Sequence, residues 1–525
     1  MDSKSSTDAN GISIKLLKNI KYQISEPLSH LFSLSVSTGV FPSKLKTSKT
    51  IPIFKAGDHT CCDNYRPISL LSSISKILEK VVATNLVNHL EINNLLFDNQ
   101  FGFLRGRSTL HNITKLTAKI SQDLNEKKFV IGIFLDLKKA FDTVSHDILL
   151  QKLKKLGISG TPLNWFTSYL SGRSQYTVIN GSNSTEQSID ISVLQGSILG
   201  PILFLCFIND LHLATWLLTL LFADDTAVLD SDSDLPTLIK RVNTELQKIA
   251  NWFRSNKMAV NVNKTKYIIF RPRGHKIQVN LEENGVLFNS NEIGQPDDNN
   301  KIFKLGRIHN DHPDKNERTY KFLGIHLDEH LSFDTHCTLI CNKLAKSNFI
   351  ISRVKNILPV HSLKTLYFSL IHPHLLYCLP IYSCTTKKNI SKIFKMQKKA
   401  IRMITKSKSN TPPFPLFSKL KILPLEHLIS LTSGQLIHSI YFKYAPKALH
   451  NLWLTNEQRE TQHELRDAHQ LYIPFARTEH VKRLPFFSLP KIWNDMPDFK
   501  LTNNPTTFKI ALKYHLHNEV VGLSS

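Results

Sequence analysis

Apolar residues cluster in short runs that predict a mixed α/β protein with acidic groups at the ends of its strands. The continuous run Phe129–Leu135 predicts a strand buried on both faces, and it ends at Asp136. The stretch Leu220–Leu229 places two apolar runs around Asp224 and Asp225, which predicts a β-hairpin with an acidic turn. Adjacent carboxylates are common in ordinary turns, but they repel each other unless a cation lies between them. The pattern leaves both a simple turn and a divalent metal site open.

Helical and polar segments divide the chain into regions. Residues 1–35 predict a helical lead-in, and residues 36–328 combine the strands with amphipathic helices. Within them, residues 285–318 are polar and rich in Asn and Asp, which predicts an exposed insertion. The pattern becomes helical at 329–410, and in the last region, 411–525, we find helices and Pro-containing loops without a catalytic constellation. A chain of this length predicts two or three packed units.

The segment 389–406 predicts a helix with one cationic side. At about 100° per residue, its apolar residues fall on one side and its cations on the other, namely Lys392, Lys395, Lys399, Arg402 and Lys406. A docked helix with such a stripe suits contact with a nucleic-acid backbone. Solvated lysines on a surface helix are the alternative, and the pattern alone leaves it open.

The charge balance narrows the class of partner. The 525 residues contain 66 Lys plus Arg against 42 Asp plus Glu, a net charge of +24. Such a basic excess favours a polyanion, nucleic acid before a membrane surface, because it is spread along the whole chain. Hydrophobic residues make up 41% and charged residues 21%, a composition that is typical of folded proteins and excludes a disordered one.

Cysteine usage and the apolar runs predict an intracellular protein without a membrane span. The seven cysteines are irregularly spaced, which favours reduced thiols. Cys337 and Cys341 lie near His336 but lack a second pair that would complete a zinc site. The polar start of the chain predicts no secretory signal. The apolar run 201–222 is interrupted by polar residues and predicts a buried core segment.

Two loops carry cations that suit phosphate groups. Lys55 and Arg66 lie on either side of one loop, an arrangement that suits two cations over one phosphate group. The loop Gln100–Thr109 combines two glycines with Arg105 and Arg107, which suits close approach of the backbone to phosphates. Solvated surface charge is the better explanation of the Lys55–Arg66 pair when it is considered alone, and many ordinary loops resemble the second one.

The order of these motifs resembles one protein family. An Asp at the end of a buried strand, a Gln-Gly-Ser turn and an Asp-Asp hairpin follow one another as in a polymerase palm. In this order the chain resembles the reverse transcriptases of non-LTR (LINE-type) retrotransposons, especially the jockey-like group. The motifs that carry the resemblance are Lys55-Ala-Gly-Asp, Asn64-Tyr-Arg-Pro-Ile-Ser-Leu, Gln100-Phe-Gly-Phe-Leu-Arg-Gly-Arg-Ser-Thr, Phe134-Leu-Asp-Leu-Lys-Lys-Ala-Phe-Asp, Gln195-Gly-Ser-Ile-Leu-Gly-Pro, Phe222-Ala-Asp-Asp, Asn263-Lys-Thr-Lys and Lys321-Phe-Leu-Gly.

The resemblance implies an RNA-directed DNA polymerase, a nucleotidyltransferase that uses two Mg²⁺ ions, with Mn²⁺ as an alternative ion. Asp136, Asp224 and Asp225 would hold the ions, with Asp136 and Asp224 as the principal ligands. Lys264 would protonate the leaving pyrophosphate or steady its phosphates. The implied fold is a right-hand polymerase with an α/β palm, fingers, a helical thumb and a mainly helical C-terminal region. Residues 36–328 would then form the reverse transcriptase domain.

The resemblance also implies contacts with the incoming dNTP. Lys55 and Arg66 would clamp the triphosphate from the fingers. Phe141, five residues after the first catalytic Asp, would exclude a 2′-hydroxyl from the sugar pocket. Gln195 and Gly196 would line the pocket for the nucleotide and the template.

Contacts with the RNA template, the DNA primer and the RNA–DNA hybrid are implied by the same resemblance. The primer grip would consist of Phe322, Leu323 and Gly324. Arg105 and Arg107 would contact nucleic acid, and the basic helix at 389–406 would belong to or adjoin a thumb-like region at 329–410.

One departure from the family leaves alternatives open. Complete elements of this group carry an upstream endonuclease, whereas this chain begins almost immediately before the polymerase region, which predicts a truncated element or a partial gene model. A catalytically silent nucleic-acid-binding remnant is therefore the alternative function. A telomerase-like or intron-encoded polymerase is disfavoured by the Phe222-Ala-Asp-Asp context. If the element is active, we expect the protein in the nucleus; the sequence leaves its template RNA and oligomeric state undetermined.

Overall fold

Two mixed five-stranded β-sheets, two small antiparallel sheets of two strands each and a largely helical C-terminal part form the fold. The computed structural model describes residues 7–8, 11–281, 283, 285–290, 301–459 and 467–523. The strands in these ranges are β1 (Thr47–Phe54), β2 (Tyr65–Leu70), β3 (Phe129–Leu135), β4 (Arg173–Ile179), β5 (Ser182–Asn183), β6 (Gln187–Ile189), β7 (Leu218–Phe222), β8 (Asp225–Asp232), β9 (Lys266–Phe270), β10 (Leu287–Ser290), β11 (Lys301–Lys304), β12 (Gly306–Ile308), β13 (Tyr320–Phe322) and β14 (Ile325–Leu327).

Helices precede, connect and follow these strands. They are α1 (Ile14–Asn19), α2 (Lys21–Thr38), α3 (Ser73–Ile92), α4 (Thr109–Asn125), α5 (His146–Lys155), α6 (Gly160–Leu170), α7 (Leu199–Ile208), α8 (Leu235–Ser255), α9 (Asp334–Val354), α10 (Val360–Leu370), α11 (His372–Leu376), α12 (Leu379–Tyr382), α13 (Lys387–Ile404), α14 (Pro413–Leu420), α15 (Leu425–Tyr441), α16 (Glu479–Arg483), α17 (Pro485–Asn494) and α18 (Pro505–Gly522). None of the described helices is long and apolar enough to cross a membrane.

The palm sheet has the strand order β12-β9-β3-β8-β7, with β3 at its centre. Successive side chains of a strand point to opposite faces of the sheet. Val130 and Phe134 therefore join one hydrophobic core, which includes apolar residues of α4. Ile131 and Ile133 join a second core, which includes apolar residues of α8. This explains why the sequence of β3 is apolar throughout, as the strand prediction requires.

The fingers sheet has the order β2-β1-β4-β5, and β6 pairs with β4. Strands β1 and β2 form an antiparallel hairpin, whereas β1 and β4 run parallel. The loop between β1 and β2 extends away from the paired strands and carries Lys55 at one end. Its backbone is closed by a hydrogen bond from the Lys55 N–H to the Asn64 carbonyl, at 2.8 Å.

The C-terminal helices pack on the α4 side of the palm sheet. Residues of α9, α13, α15, α17 and α18 belong to the same hydrophobic core as α4. Helices α12, α16 and α17 contact α4 directly. Residues 411–523 are thus packed against the polymerase-like part over their described ranges, an arrangement that the scattered helical pattern did not predict.

The prediction of an exposed insertion at 285–318 is wrong for the parts around residues 286–288 and 305–308, whereas residues 311–316 near its end are mostly exposed. Val286, Phe288 and Leu305 are buried, and β12 adds a strand to the edge of the palm sheet by parallel pairing with β9. The longest apolar runs of this stretch have only two or three residues, Val286–Phe288 and Ile302–Phe303, which are too short to show a periodicity. Residues 291–300, the most polar part, lie outside the described residues.

Candidate active site

The acidic residues are brought together by the register of three neighbouring strands. Strand β8 pairs antiparallel with β3, and the last pair along the palm sheet joins Leu135 to Thr226. Asp136 and Asp225 are the next residues on these strands, so both carboxylates lie at the same end of the two strands. Strands β7 and β8 form a hairpin, which places Asp224 in the turn between them.

The hairpin turn has two residues, and its geometry is strained. Phe222 pairs with Asp225, so Ala223 and Asp224 alone connect the strands. Ala223 has φ +56°, a left-handed conformation that is rare for residues other than glycine, Asn and Asp. Ala223 is also buried, so the surrounding structure must hold this turn in place.

The negative charges of the acidic residues raise the pKa values of their acidic neighbours. Burial first, and then the charges of Asp224 and Asp136, raise the pKa of Asp225 to about 6. Burial also raises the pKa values of Asp136 and Asp224. The mutual effect requires the three groups to be close, and it disfavours three ionised carboxylates unless a cation compensates their charge.

The donor chemistry of this cluster fits a hard divalent cation. Carboxylate oxygens are the ligands that Mg²⁺ prefers, and Mg²⁺ is usually held by one or two carboxylates together with substrate phosphates. Across the described ranges, no group of three or more His, Cys, Asp or Glu side chains is arranged to hold a metal ion by itself. A cluster of carboxylates that does not complete a metal site by itself still suits Mg²⁺ if substrate phosphates supply the remaining ligands.

A turn that follows α8 supports Asp136 and supplies a cation. The Asn261 N–H donates to the Asp136 carbonyl at 2.7 Å, and the Asp136 N–H donates to the Thr265 hydroxyl at 3.2 Å. Lys264 lies in this turn, where its N–H donates to the Asn261 carbonyl. The Lys264 charge lowers the pKa of Asp136, against the larger effect of burial. The structure therefore brings Lys264 to the acidic cluster.

The two cations of the fingers hairpin reach the same region. Arg66 pairs with Ile53 in the fingers sheet, and its charge lowers the pKa of Asp224, although burial raises it more. Lys55 lowers the pKa of Asp142, again against burial. Both cationic side chains are exposed. They are thus available to an anionic ligand bound between the fingers and the acidic cluster.

The predicted nucleotide-pocket residues lie where the fingers meet the palm. Phe141 stacks on Phe204 with ring centres 4.6 Å apart. The Gln195 amide donates to the Asp142 carboxylate at 2.9 Å, and its carbonyl accepts from the Ser69 N–H at 2.8 Å.

Gly196 is required at this junction. It has φ +127°, and a Cβ atom built on it would lie 2.3 Å from the Ser69 carbonyl oxygen. Any side chain would therefore push the fingers strand away. The Gln-Gly turn is thus docked on β2, next to the cations of the fingers.

The predicted primer grip is a second tight hairpin. Its turn is Leu323 and Gly324, with φ +43° and +82°. Phe322 packs against Phe134 of the central strand at 5.0 Å between ring centres. The Tyr377 hydroxyl donates to the Leu323 carbonyl at 2.6 Å, which fixes the turn to the end of α11.

Sequence reasoning missed Tyr320, which lies beside the acidic cluster. Its ring stacks on Phe134 with centres 4.6 Å apart. Burial first, and then the charges of Asp136 and Asp225, raise the pKa of its hydroxyl. No local signal marks this residue, because a Tyr in a short strand is ordinary. Tyr320 lies near the acidic cluster only because the β13–β14 hairpin packs against Phe134 of the palm sheet.

The two arginines predicted to contact nucleic acid differ in their surroundings. Arg105 is exposed. Arg107 is half-buried, and its Nη1 donates to the carbonyls of Phe97, Asp98 and Gln100. Its guanidinium therefore holds the loop together, which leaves Arg105 as the more accessible cation of the pair.

The basic helix has the two sides that its sequence predicts. The structure buries Ile393, Ala400 and Ile401 of α13 and exposes the lysines of the opposite side, namely Lys392, Lys395, Lys399 and the following Lys406. Arg402 is half-buried and donates from Nε to the Thr411 carbonyl at 3.0 Å. Four of the five predicted cations are therefore free to face a ligand, while Arg402 also ties the helix to the next loop.

Comparisons with known proteins agree with this geometry. The family model described as "Reverse transcriptase (RNA-dependent DNA polymerase)" matches residues 53–327, just over half of the chain. The chain is 29% identical over 392 residues to the "Probable RNA-directed DNA polymerase from transposon BS" of Drosophila melanogaster, covering 72% of this chain and 40% of that protein. It is 29% identical over 391 residues to the "RNA-directed DNA polymerase from mobile element jockey" of the same species, with the same coverage.

These relatives are much longer than the chain, which spans about 40% of the length of each. Among solved structures, apo telomerase from Candida tropicalis matches with a TM-score of 0.40 and 14% identity, over 76% of this chain and 66% of that one. The family match includes Lys55, Arg66, the acidic cluster and the hairpin of β13 and β14, while most of β1 precedes it. The chain therefore belongs to the reverse transcriptase (RNA-dependent DNA polymerase) family.

Proposed function

We propose that this chain is the RNA-directed DNA polymerase of a non-LTR retrotransposon. The observation that carries the proposal is that Asp136, Asp224 and Asp225 lie together at one end of the strands of the palm sheet, opposite two cations of the fingers hairpin. The charge of Asp224 raises the pKa values of both Asp136 and Asp225, which supports this proximity. The proposed substrates are an RNA template, a DNA primer and dNTPs. The net charge of +24 suits such polyanions.

The reaction is transfer of a nucleotidyl group to the primer. The primer 3′-hydroxyl releases its proton to solvent water as its oxygen forms a bond to the α-phosphorus. The bond from that phosphorus to the bridging oxygen breaks, so that pyrophosphate leaves. Two Mg²⁺ ions, or Mn²⁺ in their place, would be held by Asp136, Asp224 and Asp225 and would supply charge neutralisation at the attacking and leaving oxygens.

The chain's own side chains would bind and orient the dNTP. Lys55 and Arg66 would pair with the triphosphate oxygens, since both cations are exposed and extend from the fingers hairpin. Phe141 would pack against the sugar, where it leaves no room for a 2′-hydroxyl. Gln195 and Gly196 would shape the floor of the pocket.

Other groups would complete the reaction and hold the primer. Lys264, beside Asp136, would give a proton to the leaving pyrophosphate or pair with its phosphates. Phe322, Leu323 and Gly324 would support the primer terminus. Arg105 and the exposed lysines of α13 would contact the nucleic-acid backbone.

Primer extension by the purified full chain tests the proposal. We expect Mg²⁺-dependent incorporation of dTTP on a poly(rA) template with an oligo(dT) primer. Asp224→Ala should abolish it, whereas Asp147→Ala, which removes an exposed acid on α5, should not. If the wild-type chain binds the template and primer but synthesises nothing, the protein is a silent nucleic-acid-binding remnant. Equal synthesis by Asp224→Ala would also exclude the proposed site. Fractionation of expressing cells would test the expected nuclear location.

A further inference from the structure

The segment before α4 contacts the hairpin turn that carries Asp224. The Gln100 Oε1 atom accepts two hydrogen bonds, from the Ala223 N–H at 3.0 Å and from the Gly102 N–H at 2.8 Å. Both donors are backbone N–H groups, so the oxygen of the amide must face them. Gln100 is 2% exposed. A single buried atom thus bonds to the backbone of the strained turn and to its own loop.

The neighbouring backbone pairs with the edge of the palm sheet. The Phe101 N–H donates to the Leu221 carbonyl at 2.8 Å, and the Leu221 N–H donates to the Asn99 carbonyl at 2.9 Å. Strand β7 is the last strand of the sheet. Residues 99–101 therefore cover its open edge and fix the strand that leads into the turn.

Gly102 allows this segment to approach the turn closely. A Cβ atom built at Gly102 would lie 2.5 Å from the Ala223 nitrogen and 3.0 Å from the Phe222 carbonyl carbon. Real Cβ atoms do not approach backbone so closely, so any side chain here must displace the hairpin. Its φ angle is not in the left-handed region, so close approach alone explains this glycine.

Two further residues contact this loop or the strand that it covers. The Asn112 amide on α4 donates to the Leu221 carbonyl at 3.2 Å from a fully buried position. Arg107 donates to the carbonyl of Gln100 and to two carbonyls before it. Arg107 therefore holds the loop together, and Asn112 ties α4 to the Leu221 carbonyl that the Phe101 N–H also contacts.

We propose that Gln100 and Gly102 form a cradle that positions the Asp224 carboxylate, which makes Gln100 a positioning residue for the polymerase reaction. The inference rests on the proposed function. Ala223 would otherwise leave its unfavourable φ angle, and Asp224, the next residue, would turn away from the other two carboxylates. A displacement of this kind by about 1 Å is enough to slow a reaction by about 100-fold.

The test compares Gln100→Met with the wild-type full chain. Met keeps the length and apolar body of the side chain but removes the acceptor oxygen. We expect amide hydrogen exchange in peptides covering residues 218–228 to become at least about 10-fold faster in metal-free buffer, because the Ala223 N–H loses its partner. In primer extension we expect kcat to fall about 100-fold, while the KM for dNTP stays within about two-fold, since the triphosphate contacts are unchanged.

A second variant and a matched control separate positioning from loss of stability. Gly102→Ala should have the same two effects by displacing the turn sterically. Gln397→Met removes a buried glutamine that donates two hydrogen bonds in the C-terminal helices, to Tyr367 and Leu423. It should lower the Tm without changing exchange at 218–228.

The outcomes are distinct. Unchanged hairpin exchange in both Gln100→Met and Gly102→Ala would overturn the cradle, as would equally fast hairpin exchange in Gln397→Met. If the wild-type chain itself synthesises no DNA, the proposed function fails, and hydrogen exchange still decides whether the cradle exists.

Discussion

Replacing Asp225 with Asn should stabilise the metal-free protein at neutral pH. The pKa of Asp225 is raised from 3.8 to about 6 by burial and by its two acidic neighbours. An ionised Asp225 is therefore less favourable in the folded state than in the unfolded state. Asn has similar volume and carries no charge, so the substitution removes this cost.

The pKa shift gives the size and the sign of the change in the free energy of unfolding. A shift of about two units corresponds to about 3 kcal/mol if no solvent screens the charges. Protein surrounds much of the Asp225 carboxyl, which raises its pKa, but the residue as a whole keeps contact with solvent at the end of its strand. Solvent therefore screens part of the effect, and we expect about 1 kcal/mol. Below pH 3.8 both states bind the proton and no cost exists. As the pH rises from 3.8 to about 6, the unfolded state releases its proton first, so the folded wild-type protein loses stability, and above this window the loss is constant.

Thermal unfolding in EDTA measures this effect. At about pH 7.5 we expect Asp225→Asn to unfold about 2 °C above the wild type, and at about pH 5 we expect the difference to shrink because the wild-type carboxyl is partly protonated. Saturating Mg²⁺ should stabilise the wild type more than the variant, since the ion compensates the repulsion. A variant that is less stable than the wild type at neutral pH, or a difference that is the same at both pH values, would refute the electrostatic reasoning.

Two more predictions concern the fingers junction and the basic helix. Gly196→Ala should destabilise the protein by about 2–3 kcal/mol, because its Cβ would meet the Ser69 carbonyl at 2.3 Å; Gly181→Ala, at φ +85° with open space around it, should cost only about 1 kcal/mol in the same thermal unfolding assay. The affinity for an RNA–DNA hybrid should fall with rising salt, and replacing the exposed lysines of α13 (Lys392, Lys395 and Lys399) by Gln should make this fall less steep. The slope of log affinity against log salt should become smaller in magnitude by about 3. The same change at Lys15, Lys18 and Lys21, exposed near the N-terminus, should leave that slope unchanged, and an equal effect there would show that the helix has no special role.

The elements that carry the acidic residues could be predicted from the sequence because their signals are local, whereas the order of the motifs and the family resemblance pointed to a metal site. An apolar run that ends in Asp136 and a short hairpin with Asp224 and Asp225 each lie within about ten residues. Local periodicity and turn composition encode such elements directly. The basic side of α13 follows from the same helical periodicity, and the structure confirms both the helix and its two sides.

The support of the site depended on the tertiary structure. Gln100 is 123 residues away from the turn that it contacts, and Tyr320 reaches the acidic cluster from a hairpin near the end of the family match. Arg107, which the loop composition assigns to phosphate, instead donates to backbone carbonyls. The polar stretch around β12 gives the palm sheet an edge strand.

These features share one physical reason. Periodicity records which face of an element is buried, but it does not record which distant backbone group will satisfy a given donor or acceptor. Chain folding alone brings the Gln100 oxygen to the Ala223 N–H, and the same holds for Gly102, whose need for close approach appears only when the hairpin is beside it. The sequence by itself thus determined the chemical groups of the site and the elements that carry them. The tertiary structure decided which groups stay exposed around the acidic cluster and which hold the others in position.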